Sequence, residues 1–283
     1  MSNAPPEIIG GRNRRRSTIS TLSHNVRQSI VSMDERLHSH LISTMALCSC
    51  VLTMFYLLMN CFPYSGFMAM SLVPGLTEEG AGVYAGILSS SFMVGRAMSS
   101  YPWGKVADIY GRKSVLIISL VSAAFFSIGF GLSPNFAWAV GSRLLLGLGN
   151  GIMLIARTLI SELARGDHDL EARGMGRLMS MVGYGMLLAP AIGGGLSEPM
   201  TQYPNANWFG GRFDSFLSQY PFILPNIVAC ILSLVSLVLV VVSIEETLPK
   251  EKRRPARYMV PDFCQWIARL PFMLATNVKK VCC

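Results

Sequence analysis

Charged side chains are scarce in this 283-residue chain. Only 14% of its residues are Asp, Glu, Lys or Arg, and 51% are hydrophobic, whereas about a quarter of the residues of an ordinary soluble domain are charged. So many apolar side chains without a very large core require a lipid environment. The composition therefore excludes an ordinary soluble domain and predicts that the lipid bilayer is a partner of this protein.

The cysteines show no spacing typical of a metal centre or a disulfide framework. Most of the seven lie in apolar runs or in the C-terminal tail, and none are placed to pair in an outer loop. The sequence contains no recognisable nucleophile–base pair either. We therefore expect neither an enzyme nor a bound metal or other cofactor.

Long apolar runs, by contrast, are plentiful. A helix needs about 20 apolar residues to cross a hydrocarbon core of roughly 30 Å, and six segments meet this length. Their limits are 41–64, with a continuation to Pro74 left open, 81–103, 114–133, 136–163, 175–197 and 220–244. A segment in lipid must satisfy its own backbone hydrogen bonds, so all six are predicted to be helices.

The polar stretches divide the chain into three regions. Residues 1–40 are rich in Ser, Arg and Asn, which predicts a disordered basic tail. Residues 41–246 contain the six spans, and residues 247–283 form a basic linker or tail. The predicted fold class is an all-α membrane protein with six transmembrane helices.

Lysine and arginine are distributed unevenly around the spans. Most of the 24 lie before the first segment, in the second and fourth links, or after the sixth segment, whereas the opposite links contain only Arg212. By the positive-inside rule, both termini of this multi-pass protein are predicted to be cytoplasmic. The placement explains the net charge of +8 without a nucleic-acid partner. It does not distinguish the plasma membrane from the vacuolar membrane.

The link between the second and third segments carries four charges and two glycines in the sequence GKVADIYGRK. It resembles the G-x-x-x-D-x-x-G-R-K signature of the major facilitator superfamily, between that family's second and third helices. The resemblance implies a secondary transporter of small organic solutes that works by alternating access, with this motif as its cytoplasmic gate. The gate residues that it implies are Gly104, Asp108, Gly111, Arg112 and Lys113.

Three arginines lie inside predicted spans, where a charge is costly and normally faces a cavity or a partner. Arg143 begins the pattern R-x-x-x-G-x-G-x-G, which resembles the family's fourth-helix motif and implies a role in proton transfer. Arg157 follows nearly four helical turns later and is expected on roughly the same face. Arg96 could bind an anionic solute or pair with a carboxylate. For Arg96 and Arg157, snorkelling towards the cytoplasm is the alternative.

The fifth segment resembles a signature that the superfamily associates with antiporters, G-x-x-x-G-P-x-x-G-G. The matching residues are Gly185, Pro190, Gly193 and Gly194, while Ala189 stands where glycine is usual. Proline removes a backbone donor and can kink a helix, and glycine lets helices pack tightly. A kinked helix without a transport role is the alternative.

Longer stretches between residues 81 and 249 resemble the zinc-induced facilitator-like carriers, within or near the drug:proton antiporter group. This resemblance implies that organic solutes, metal chelates or drugs are exchanged for protons or potassium. Proton-coupled antiport is therefore expected, although the predicted spans contain no interior Asp or Glu, and the four histidines lie outside them.

The superfamily has twelve helices in two halves, each built from 3+3 inverted repeats, and this chain supplies the N-terminal half. We expect it to work with a second half-transporter, in a full-length parent or as a homodimer. The alternative is a truncated or regulatory half without transport activity of its own, which associates with a full carrier. Cys282 and Cys283 resemble a prenylation signal, and an abrupt end of the sequence is the other interpretation.

Overall fold

The computed structural model describes residue 38 and residues 40–203, 211–244, 246 and 261–267. The chain divides into two compact units, Met1–Ile42 and Ser43–Cys283, and nearly all described residues belong to the second. Nearly all of the predicted N-terminal tail and most of the predicted C-terminal linker lie outside the described residues. The described helices are α1 (His40–Met59), α2 (Ser65–Leu72), α3 (Glu78–Tyr110), α4 (Arg112–Gly131), α5 (Phe136–Leu148), α6 (Ile152–Ala164), α7 (His168–Leu196), α8 (Pro199–Gln202), α9 (Gly211–Gln219), α10 (Ile223–Ser243) and α11 (261–267).

The described residues form an all-helical structure, which confirms the predicted fold class. Among the described residues, five helical stretches are long and apolar enough to cross a membrane: α1, α4, α5 together with α6, α7 and α10. α3 is longer, with 33 residues, but glycine, serine and charged residues dilute its apolar content. The predicted second span is therefore a helix of membrane-crossing length with a more polar composition than the other five.

The first span ends earlier than its apolar run. α1 ends at Met59, a turn occupies residues 60–64, and the chain becomes helical again only in α2. The continuation towards Pro74 is therefore a separate short helix. The N–H of Phe62 bonds to the Met59 carbonyl at 3.3 Å within this turn.

α3 and α5 approach so closely that their contact requires glycine. A Cβ on Gly147 would overlap the carbonyl oxygen of Phe92, and a Cβ on Gly95 would overlap the carbonyl oxygen of Leu144. Helix association in lipid depends on van der Waals packing, so small residues at such a contact bring the backbones together. The two helices are thereby held in a fixed register.

The predicted fourth span, 136–163, is interrupted at its middle. α5 and α6 have 13 residues each, and residues 149–151 between them are not helical. A break in lipid leaves backbone groups that water cannot satisfy. One of them, the Leu148 carbonyl, accepts a hydrogen bond from the indole N–H of Trp103 on α3 at 2.8 Å.

Two serines of α4 bind two more backbone groups of this interruption. The Ser122 hydroxyl donates to the Gly149 carbonyl at 3.3 Å, and the Gly151 N–H donates to the Ser119 hydroxyl at 3.2 Å. The break is therefore hydrogen-bonded to α3 on one side and to α4 on the other.

α1 and α10 are joined by buried polar contacts. The hydroxyls of Thr53 and Ser236 are 2.9 Å apart, and the Tyr56 hydroxyl donates to the Pro225 carbonyl at 3.1 Å. In a low-dielectric interior such satisfied bonds fix one arrangement of the two helices.

The outer surface of the bundle is strongly apolar. Val242 is 80% exposed, and Leu187 and Phe125 are each 72% exposed. Apolar patches of this kind are unusual on monomeric soluble proteins and typical of surfaces that contact lipid or another protein.

Candidate functional site

The charged motif at residues 104–113 is not the loop that its composition predicts. α3 continues to Tyr110 and α4 begins at Arg112, so Gly111 alone makes the reversal. Gly111 has φ 102°, a left-handed conformation that side chains with a Cβ rarely adopt. The predicted ten-residue link is therefore helix on both sides of one glycine, because the charged residues extend α3 instead of ending it.

Arg112 is the centre of an ionic cluster next to this reversal. Its guanidinium lies 2.7 Å from the Glu162 carboxylate on α6 and 3.4 Å from the Asp108 carboxylate on α3. The Arg112 side chain is only 15% exposed, whereas that of Asp108 is 66% exposed. Asp108 and Arg112 are an i,i+4 pair, but the shorter contact of Arg112 is with Glu162.

Glu246 is a member of this cluster that sequence reasoning missed. Its Oε1 accepts a hydrogen bond from the backbone N–H of Arg112 at 2.9 Å, so a carboxylate occupies the positive end of α4. A Cβ on Gly111 would overlap that carboxylate. The only signal in the sequence was that Glu246 belongs to the stretch resembling the facilitator-like carriers. Its partner is distant in sequence and could not be predicted.

Lys113 and Gly104 complete the motif. The Lys113 ammonium donates to the Val241 carbonyl at 2.8 Å, which places a cation at the negative end of α10. The Cβ position of Gly104 lies 3.5 Å from a methyl carbon of Leu154 on α6. The motif therefore joins the ends of α3, α4, α6 and α10.

α11 packs against the same end of the bundle. The Tyr110 hydroxyl donates to the Asp262 carboxylate at 2.6 Å. The rings of Trp103 and Phe263 lie 4.3 Å apart, centroid to centroid, at 34°. Phe263 and Trp266 also pack against the hydrophobic core. The region after α10 therefore has a segment that contacts the motif directly.

Arg143 is fully buried and hydrogen-bonded to α1. It is 1% exposed, and its Nη1 donates to the Leu57 carbonyl at 2.8 Å, while its Nη2 is 3.4 Å from Asn60 Oδ1. Its guanidinium also lies 4.3 Å from the ring centroid of Phe130. The negative end of α1 and an aromatic face therefore stabilise this charge. The structure places Arg143 in the interior of the bundle.

Arg157 and Arg96 lie elsewhere. Arg157 is exposed and Arg96 is half-buried, so the expectation that Arg143 and Arg157 share one face is wrong. That expectation assumed a continuous helix, and the interruption between α5 and α6 breaks the helical register. Arg157 lies on α6 and Arg96 on α3.

The antiporter-like motif of α7 lies against the end of α1. A Cβ on Gly185 would come within 2.6 Å of the Phe55 Cβ, and a Cβ on Gly193 would overlap the Asn60 carbonyl oxygen. Gly194 is next to Pro63, at 3.2 Å from its Cβ position. Pro190 is an internal residue of α7. The glycines therefore allow close packing, and the antiporter role stays a prediction.

Among the described residues, no three His, Cys, Asp or Glu side chains lie together in a way that could hold a metal ion.

A helical bundle with an apolar outer surface and helix contacts that require glycine defines a multi-pass membrane protein. Residues 55–275 match the sequence profile of the Major Facilitator Superfamily. The chain belongs to this family, whose members are transporters and not enzymes.

Similar proteins come from plants and fungi. The chain is 38% identical over 167 residues to a probable peptide/nitrate transporter of Arabidopsis thaliana, covering 59% of this chain and 33% of the relative. It is 39% identical over 144 residues to the protein Zinc Induced Facilitator 1 of the same plant, covering 51% and 29%. It is 31% identical over 196 residues to the multidrug transporter mfsB of Aspergillus fumigatus, covering 69% and 32%. The chain thus spans about a third of the length of these relatives.

Two solved structures share the fold. The human organic anion transporter MFSD10 superposes with a TM-score of 0.53 at 18% identity, covering 80% of this chain and 53% of that one. The D-xylose-proton symporter superposes with a TM-score of 0.58 at 16% identity, covering 85% of this chain and 53% of that one.

Proposed function

We propose that this chain is one half of a secondary transporter that moves small organic solutes by alternating access, in antiport with protons. The Gly111 reversal and the Arg112 cluster form its cytoplasmic gate. The observation that carries the proposal is the meeting of Asp108, Arg112, Glu162 and Glu246, which links the ends of four helices. Family membership and the transporter names of the relatives support it.

Asp108 has the geometry that a gate contact needs. Arg112 is held by Glu162 and through its backbone by Glu246, so the local fold does not depend on Asp108. The Asp108 carboxylate, 66% exposed, remains accessible to a group outside the bundle. An exposed carboxylate beside a rigid cluster can form and break a contact without unfolding the helix that carries it.

Proton antiport rests on the resemblance of the α7 motif to the antiporter signature. Arg143 is the proposed positioning residue, because its buried charge contacts α1 directly and α1 also packs against the α7 motif. The described acidic side chains of the membrane-length helices all lie at or near helix ends: Glu78, Glu79, Asp108, Glu162, Asp169 and Glu171.

The gate is tested by Asp108→Asn in phosphatidylcholine proteoliposomes. Uptake is measured for small anions, cations and neutral solutes, including the four-carbon compounds succinate, butyrate, putrescine and 1,4-butanediol, with an outward and an inward proton gradient. We expect at least about a tenfold loss of flux, equivalent to about 1.4 kcal/mol, with an unchanged unfolding temperature. Asp169→Asn, which removes one exposed carboxylate at the start of α7, is the matched control and keeps wild-type flux.

Equal flux for Asp108→Asn and wild type would overturn the gate role. Solute flux that does not change with the direction of the proton gradient would overturn the proposed proton antiport. If the inserted chain moves none of the solutes, it is not a carrier by itself, and the result favours the non-transporting half that associates with a full carrier.

A further inference from the structure

Trp103 of α3 contacts both the interruption of the fourth span and α11. Its indole N–H donates to the Leu148 carbonyl at 2.8 Å, and its Cγ lies only 3.0 Å from the Cβ position of Gly151. The same indole packs against the ring of Phe263 on α11, with the centroids 4.3 Å apart. Trp103 is 3% exposed, so contacts within the protein set its orientation.

Two adjacent residues of α11 bind α3 at different depths. Asp262 accepts a hydrogen bond from the Tyr110 hydroxyl at 2.6 Å, and Phe263 contacts Trp103. Tyr110 and Trp103 are seven residues apart on α3, which is about 10 Å along the helix axis at a rise of 1.5 Å per residue. α11 therefore lies along the last two turns of α3, and it cannot leave without uncovering Trp103.

The interruption needs the donor that Trp103 supplies. No water inside a bilayer can bind the backbone groups of such a break, so each group needs a partner within the protein. Ser119 and Ser122 supply two of these partners from α4. Trp103 supplies a third, and the ring that carries its N–H is the ring in contact with α11. The hydrogen bonding of the break is thereby connected to the position of α11.

We propose that α11 is a strap that holds the interruption of the fourth span in this conformation through Trp103. While α11 is docked, Phe263 and Gly151 confine the indole, and its N–H points at the Leu148 carbonyl. When α11 leaves, the indole can turn to other rotamers, the carbonyl loses its donor and the break loosens. A change at the end of the bundle thereby reaches the middle of a span. This inference concerns conformation alone and does not rest on the proposed transport function.

Hydrogen exchange with mass spectrometry in phosphatidylcholine nanodiscs tests the strap. Phe263→Ala removes the ring contact with Trp103. It should speed amide exchange about two- to tenfold in residues 261–267 and also in residues 149–151, since an aromatic pair changes an equilibrium constant by about this factor. Phe67→Ala is the matched control, because Phe67 is 56% exposed on α2 and its truncation should change neither region.

Trp103→Phe separates the two ends of the connection. This variant keeps an aromatic ring beside Phe263 but lacks the indole N–H. Residues 149–151 should therefore exchange about two- to tenfold faster, while residues 261–267 keep the wild-type rate. In the Trp103→Phe chain, Phe263→Ala should add little at residues 149–151, because the connection is already broken. Such non-additivity in a double-mutant cycle identifies residues that act through each other.

Three results would overturn the strap. The first is faster exchange in residues 261–267 with an unchanged rate in residues 149–151, which would make α11 a surface cover only. The second is an equal effect of Phe263→Ala with and without Trp103, and the third is acceleration that extends equally to α10. If Phe263→Ala does not fold, Tyr110→Phe replaces it, because it removes only the hydroxyl that binds Asp262, and the same results decide.

Discussion

At the residue scale, glycines decide which helices can touch. Gly95 and Gly147 let α3 and α5 come into close contact, and Gly193 lets the end of α1 pack closely against α7. The sequence indicated close packing from the spacing of small residues, but it could not show which glycines face a neighbour. Gly82 and Gly86 belong to the same helix as Gly95 and have nothing within 4 Å of a Cβ. Only the three-dimensional arrangement distinguishes the glycines that face a neighbouring helix from those that face open space.

This difference predicts opposite effects of the same substitution. Gly147→Ala places a Cβ against the Phe92 carbonyl and should destabilise the protein by about 1–3 kcal/mol through overpacking. Gly86→Ala has room and should be neutral or stabilise by up to about 1 kcal/mol, because alanine favours the helix. Thermal unfolding in detergent measures both. An unfolding temperature of Gly147→Ala at or above that of wild type would contradict the required close contact.

At the element scale, helix ends are fastened by side chains from other helices. Glu246 bonds to the start of α4, Lys113 to the end of α10, and Arg143 to the last turns of α1. The motif residues themselves could be predicted because their pattern is local. Glu246 could not, because a capping partner more than a hundred residues away leaves no periodic signal. The interruption of the fourth span was missed for a related reason: its cost is offset by Trp103, Ser119 and Ser122.

The contact of α11 with α3 predicts a change in backbone protection. Tyr110→Phe removes the hydroxyl that donates to Asp262 and should speed amide exchange in residues 261–267 about tenfold, because a hydrogen bond to a charged group contributes about 1.5–3 kcal/mol. Hydrogen exchange with mass spectrometry measures this rate. Tyr101→Phe is the control, since Tyr101 is 52% exposed. Identical exchange in Tyr110→Phe and wild type would show that the bond does not hold α11.

At the scale of the whole molecule, the order of the membrane-length helices follows from the sequence, whereas the short helices, the helix ends and the helix partners do not. In the part of the chain that the structure describes, the six apolar runs correspond to six membrane-length helical stretches, because runs of about 20 apolar residues have few alternatives in lipid. The observed helix ends differ strongly from the predicted ones where a charged stretch was predicted to be a loop. α3, for example, extends to Tyr110, well past the predicted end at residue 103. The predicted orientation rests on the distribution of lysine and arginine between the links.

The predicted orientation can be measured with cysteine labelling. Cys264 on α11 is exposed, whereas Cys48, Cys50 and Cys61 are buried. With Cys282 and Cys283 replaced by serine, a membrane-impermeant maleimide should label Cys264 only when the cytoplasmic face is accessible. Ser218→Cys, at an exposed position of α9, should react only from the opposite face in a chain that carries Cys264→Ser. Labelling of both positions from one face would refute the orientation.

The interruption between α5 and α6 also determines where the bundle can move. Trp103 and two serines of α4 bind it near the midpoint of the span, and the Gly95–Gly147 contact lies close by. α3, α4 and the two halves of the fourth span are therefore tied together at one depth, separately from the Arg112 cluster that joins them at one end. Such a tie acts as a fulcrum: tilting these helices moves their opposite ends in opposite directions and leaves the middle in place.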